Sequence, residues 1–269
     1  MFGPYWQYQL PLWAVIFLFL ILLLIPMEVG LRLGLRQKSM RPDLKREART
    51  DVTLASMMAL LGLMLAFTYS FGLSRADLRK TAIINEVKAI STAFLRADLL
   101  PEPGRTDVRE RLFEYAKSRY VEPGSVGTLE ELEKVVDRSV QIQSKIWPAV
   151  KSALRQNGNM SGPEKALLVS AINDVLDSHT VKMAVIYDRL PLIVLALLVL
   201  IAGASLGMAA YNLGLRGSFS RWRMTAFALI LASLMYVILD YDMMMRGFIQ
   251  VDQRSLVLLI DEMKKALGH

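Results

Sequence analysis

Apolar residues along this chain fall into four long blocks, with stretches of helical polar patterning between them. Residues 10–27, 52–73, 190–213 and 222–239 each approach the roughly 17–25 apolar residues that carry a helix across about 30 Å of hydrocarbon. Past the second block the pattern stays helical. Ile83, Val87, Ile90 and Phe94 recur at i, i+4, i+7 and i+11, which makes one apolar stripe. No proline lies between Pro42 and Pro101. The pattern therefore predicts one helix from about residue 51 to 99, on the order of 70 Å long, that leaves the membrane without stopping. Gly62 and Gly72 are the points where it would bend instead.

Shorter helices follow. "PEPG" (101–104) breaks the long helix, and "TDVRERLFEYAKSRY" supplies the next one. Thr128 and Glu131 form a capping box ahead of Leu129, Leu132, Val136 and Val140, and this helix is expected to reach Trp147, with Pro148 kinking or ending it. After the break "NGNMSGPE", Pro163 suits a first helical position. Leu168, Ile172 and Val175 then lead towards the third block. In the tail, Leu256, Leu259, Ile260, Met263 and Leu267 share one face, which either lies on the membrane or docks on the helical domain.

The fold class expected is an all-α integral membrane protein with four transmembrane helices and a helical extramembrane domain between the second and third. Its divisions are an N-terminus with first span (1–35), a basic loop (36–51), the second span (52–73), the helical domain (74–189), the third and fourth spans (190–242) and an amphipathic tail (243–269). A hydrophobic fraction of 54% over 269 residues supports a membrane protein. The first block lacks a basic leader and a small-residue cleavage site, so it is expected to remain as a span.

The chain has no cysteine and two histidines, His179 and His269. Disulfides and thiol chemistry are thereby excluded, and a histidine metal site is hard to build; no metal or cofactor is expected. The formal charge of +7 is concentrated beside the spans, which argues against nucleic acid as a partner. Tyr5, Trp6, Tyr8 and Trp13 suit the headgroup layer before the first span. Arg32, Arg36, Lys38, Arg41, Lys45, Arg46 and Arg49 follow it, and short basic loops stay in the cytoplasm. On this loop the N-terminus and the helical domain are expected on the outer side of the membrane.

Several residues carry candidate chemistry. Leu60, Met64, Phe67 and Phe71 lie on one face of the second span, between Ser56 and Ser74. Bulky apolar side chains meeting at a symmetry axis form a constriction that gates by excluding water; the same stripe also suits a lipid-facing or intersubunit surface. Arg75, Asp77 and Arg79 would set the charge at the pore mouth. Gly203 and Gly207, with Gly30 and Gly34 as a weaker instance, permit close helix packing within a subunit or between subunits. Asp240 and Asp242 end the fourth span, where hydration at the interface is the simplest expectation. Glu28 and Arg32 have ion-pair spacing. His179 has no nucleophile or second ligand at recognisable spacing and is expected to be structural; no catalytic motif is present, and the chain is not expected to be an enzyme.

Three stretches resemble the bacterial bestrophin-like domain family, long catalogued as a domain of unknown function. They are "LLGLMLAFTYSFGLSRADLRK" running into "NEVKAISTAFLRADLLP", then "LDSHTVKMAVIYDRLP", then "LDYDMMMRGFIQVDQRSL". The matching positions are Glu86, Thr92, Arg96, Asp98, Pro101, His179, Asp240, Asp242, Gly247 and Gln253. Lys88, Ser91, Lys182 and Met244 depart from the family's usual Asn, Gly, Arg and Pro. The resemblance implies a pentameric channel lined by the second transmembrane helix, with inorganic ions and the lipid bilayer as partners. It also implies a domain and termini in the cytosol, opposite to the side indicated by the basic loop. The functional expectation is a homo-oligomeric ion channel. The alternative is a membrane-anchored helical interaction or assembly module that conducts nothing.

Overall fold

The computed structural model describes residues 12–40, 49–122, 125–126, 128–156, 160–217, 220–242 and 252–268. Among these, all regular structure is helical: α1 (Leu12–Met40), α2 (Arg49–Arg96), a 3-10 turn (Ala97–Leu99), α3 (Gly104–Arg119), α4 (Leu129–Gln143), α5 (Ile146–Gln156), α6 (Gly162–Tyr187), α7 (Leu192–Arg216), α8 (Arg221–Asp242) and α9 (Arg254–Leu267). The four apolar blocks lie in α1, α2, α7 and α8, each long and apolar enough to cross a membrane. α2 is one helix of 48 residues, passing from its apolar block into the charged sequence without interruption at Gly62 or Gly72. The expected aromatic residues Tyr5, Trp6 and Tyr8, the loop residues Arg41, Lys45 and Arg46, and Met244 and Gly247 lie outside the described residues.

Two compact units divide the chain. The membrane unit comprises residues up to Ser74 and from Arg189 to Met243. Its core sets Phe19, Leu23, Met27 and Leu31 of α1 against Leu198, Ala202, Leu206 and Ala210 of α7 and Ala232, Met235 and Leu239 of α8. In lipid there is no hydrophobic gain from helix pairing, so close backbone contact does that work. The glycines provide it within one chain. A methyl group on Gly30 would collide with the Gly207 carbonyl, and one on Gly34 with the Tyr211 carbonyl. On the other helix, the Cβ of a residue replacing Gly207 would sit 3.1 Å from the Pro26 carbonyl oxygen. The two small-residue motifs are thus partners in one α1–α7 contact.

The helical unit comprises Arg75–Asp188 and Met244–His269. Ile90 and Phe94 of α2, Ala97 of the 3-10 turn, Val108, Leu112 and Ala116 of α3, Ile146 and Val150 of α5, and Leu168, Ile172 and Val175 of α6 form its main core. Leu259 and Met263 of α9 enter the same core, so the amphipathic tail docks on this domain.

Caps set the helix starts. At α4, Thr128 Oγ1 accepts from the Glu131 N–H (3.2 Å) while Glu131 Oε2 accepts from the Thr128 N–H (3.0 Å). The same box recurs at Ser161 and Glu164 ahead of α6, with proline in its first turn. Two expectations for α4 fail. The helix stops at Gln143, and Pro148 lies in the first turn of α5, where a missing N–H leaves no partner unsatisfied. The expected stripe also drifts: Val140 is exposed, and Ser139 takes the buried position beside it.

Candidate functional site

α2 carries the residues that the channel reading needs. Only 11% of its most apolar stretch is buried, against 33%, 44% and 50% for the other three spans, so it is the span least covered by its own chain. Leu61, Thr68 and Gly72 face inward. Leu60, Phe67 and Phe71 are 47%, 57% and 60% exposed along one side, while Met64 is half-buried against the membrane core. Ser56 and Ser74 are exposed, with the Ser56 hydroxyl donating to the Val52 carbonyl (3.0 Å).

Of the three expected pore-mouth charges, Asp77 is exposed. Arg75 makes a two-pronged pair with Asp188, Nε to Oδ2 at 3.0 Å and Nη2 to Oδ1 at 3.3 Å. Arg79 departs from the expectation, being buried at 1% exposure. Its guanidinium donates to the Val185 carbonyl (3.4 Å) and the Asp188 carbonyl (3.0 Å). These are carbonyls at the end of α6, which lack an intrahelical partner and attract a cation. Arg79 is therefore a helix cap.

The family-motif positions sort into structural roles. Arg96 donates to the Leu167 carbonyl (2.8 Å). Asp98 accepts from Arg109 (2.8 Å), whose guanidinium lies 4.3 Å from the Phe94 ring centroid. The Gln253 amide pairs with both backbone groups of Val121, at 3.2 and 2.8 Å. Asp240 and Asp242 correct the expectation of hydration, being 1% and 2% exposed. Asp240 Oδ1 accepts from Tyr236 (3.2 Å), and Asp242 Oδ1 accepts from the Leu190 N–H (3.0 Å) just ahead of α7. The Arg189 guanidinium donates to the Asp242 carbonyl. Glu28 pairs with Arg32 at 2.9 Å, as its spacing suggests.

Glu86 and His179 meet in a cluster that sequence spacing does not reveal. Glu86, 1% exposed on α2, accepts from Tyr115 (2.8 Å) and Arg119 Nε (2.7 Å) through Oε1, and from Lys182 Nζ (2.6 Å) through Oε2. Arg119 Nη1 donates to Ser139 (2.9 Å), which explains the polar residue on the core face of α4. The tautomer of His179 follows from counting protons. Tyr115 has one hydroxyl proton and gives it to Glu86, so the 3.1 Å contact with His179 Nδ1 has the imidazole as donor.

Protonation follows from the surroundings. Burial pushes the Glu86 carboxyl up, but Lys182 and Arg119 outweigh it and hold the group below its usual range. Burial and the Arg119 charge lower His179 to about 4, so it is neutral at physiological pH. Burial raises the Tyr115 hydroxyl, with Glu86 adding to the effect. Tyr115, Arg119 and Ser139 have no signal in the sequence, where they read as ordinary members of helical patterns.

No protein-family model matches this chain, and no curated protein matches it. Its backbone is similar to solved membrane-protein structures. A tryptophan-to-alanine variant of a bestrophin homolog from Klebsiella pneumoniae matches with a TM-score of 0.69, over 96% of this chain and 98% of that one, at 10% identity. The chain has the bestrophin fold. A tyrosine-to-alanine variant of the same homolog matches at 0.66, over 92% of this chain and 99% of that one, again at 10% identity. A structure described as a membrane protein with a proline-to-alanine change also gives 0.66, over 96% and 99% at 10% identity. At such identity the likeness shows the fold alone, and the chemistry rests on this chain's own residues.

Proposed function

We propose that this protein is the subunit of a homo-oligomeric ion channel, five copies being the number that the bestrophin resemblance implies, with the membrane half of α2 lining the pore. The observation that carries this reading is the poor cover of α2: Leu60, Phe67 and Phe71 stand exposed at helical spacing on the span least buried by its own chain. Around an axis, these side chains form a dewetted gate, with Ser56, Ser74 and Asp77 as polar positions bordering it. Arg75 has its charge matched by Asp188 and contributes less to ion choice.

Flux through purified protein in liposomes tests the reading. Measurable ion flux is expected, and truncating the gate by Phe67→Ala with Phe71→Ala raises resting flux severalfold. An intact oligomer that passes no ion across varied ions, voltages and pH favours the assembly-module alternative.

The orientation we favour follows the basic loop and sets the helical domain on the outer side of the inner membrane. A chain without cysteine allows single thiols to be placed on a silent background. A thiol at exposed Glu130 is expected to react with an impermeant reagent from outside, whereas one at Lys45 does not. The reverse pattern places the domain in the cytosol.

A further inference from the structure

The Glu86 cluster holds more positive charge than its carboxylate can balance. Arg119 on α3 and Lys182 on α6 both pair with Glu86 on α2, and all three side chains are nearly sealed from solvent, at 4%, 6% and 1% exposure. His179 is neutral and Tyr115 keeps its proton, so the enclosed charges sum to one negative and two positive. The groups that act on Lys182 are Glu86 from α2, Arg119 from α3 and His179 from its own helix, with Tyr115 of α3 on the far side of Glu86 Oε1.

The geometry shows how the two cations divide the carboxylate. In a guanidinium, Nε–H and one Nη2–H point the same way and together match both oxygens of a carboxylate. Arg75 and Asp188 pair in that manner elsewhere in this domain. Arg119 does not. Its Nε reaches Glu86 Oε1, but Nη2 is buried with no acceptor among the described residues, because Oε2 is occupied by Lys182 at 2.6 Å. Arg119 alone suffices to balance Glu86, so the ammonium of Lys182 is the surplus charge.

We propose that Glu86 is a two-position latch operated by the proton on Lys182. With Lys182 charged, Glu86 is shared between α3 and α6. When the proton leaves, Glu86 turns Oε2 to Arg119 Nη2, completes the two-pronged pair and releases the Lys182 amine. The helix that carries the latch is α2, so under the channel reading, on which this part rests, the change reaches the pore-lining helix. Burial, reinforced by Arg119 and partly offset by Glu86, lowers Lys182 to about 8, which places the switch on the alkaline side of neutrality. The folded value lies below the ordinary lysine value of 10.5, so between the two the unfolded chain holds a proton that the folded chain has shed, and stability from this group rises with pH across that window.

The test compares Arg119→Lys in the wild type and in a Lys182→Met background, at about pH 7 and about pH 9.5, by thermal unfolding of the detergent-solubilised protein. Lysine cannot make the two-pronged pair. In the wild type, the fall in Tm caused by Arg119→Lys is expected to be several degrees larger at the higher pH. With Lys182→Met the fall is the same at both pH values and matches the larger one. A penalty independent of pH in the wild type overturns the latch. If Arg119→Lys does not fold, the Tm difference between the wild type and Lys182→Met decides, since the latch requires it to change between those pH values and a constant difference overturns it.

Liposome flux supplies the second arm, with a step near pH 8 in the wild type that Lys182→Arg and Lys182→Met both abolish. Flux that is present but level across the window overturns the link from latch to pore. A pH-dependent Tm penalty in a protein that conducts nothing leaves the latch standing and removes the channel reading instead.

Discussion

Glu86→Gln is expected to be the most damaging single change in the helical domain, lowering stability by about 3–5 kcal/mol, or about 10 °C in Tm. The amide keeps the shape of the side chain and loses its charge. Arg119 and Lys182 are then left as two buried cations with no counter-charge, while Tyr115 loses its charged acceptor. The asymmetry within the cluster makes the prediction specific. Lys182→Met removes the surplus cation and leaves Glu86 and Arg119 balanced, so its cost at neutral pH is expected to be far smaller. Recovery of monodisperse protein after heating, compared across the wild type and both variants, checks the ranking. Equal losses for the two variants would mean that the cluster is held by packing and that its charge count is immaterial.

In the membrane unit, Gly30→Val is expected to disrupt the α1–α7 contact, at the upper end of the roughly 1–3 kcal/mol typical of overpacking. The first added carbon already collides with the Gly207 carbonyl, and backbone cannot rotate aside as a side chain can. Gly62→Ala is the matched control. A Cβ there meets nothing within 4 Å, and alanine favours helix over glycine by about 1 kcal/mol. Gly62→Ala is therefore expected to be neutral or stabilising. Yield and thermal recovery of the two variants separate them, and a tolerated valine at residue 30 would contradict the close approach.

Much of the architecture was legible because membranes impose coarse rules. Span length, helical period and the absence of proline over residues 43–100 were enough to indicate four crossings and an α2 that continues past its apolar block. The Thr128 box was legible because capping needs fixed residue types at fixed spacing. Pairings distant in sequence were not. Glu86 and Lys182 are 96 positions apart, and nothing in either local pattern says that they touch. Arg79 read as a pore-mouth charge beside Arg75 and Asp77, and only the docking of α6 shows that it caps carbonyls there. Asp240 and Asp242 read as interfacial because both follow an apolar block, yet Tyr236 and the Leu190 amide satisfy them inside the fold. The small-residue motifs were visible as motifs, but which helix each one meets is a property of the packed unit.

The account turns on where the exposed rings of α2 point in the assembled protein. An image of the detergent-solubilised particle, at a resolution that distinguishes helices and large side chains, measures this directly. The account predicts α2 from every subunit ranged about one axis, with Phe67 and Phe71 turned to the central opening. A single copy, or copies whose α2 rings face lipid with no opening between them, contradicts it.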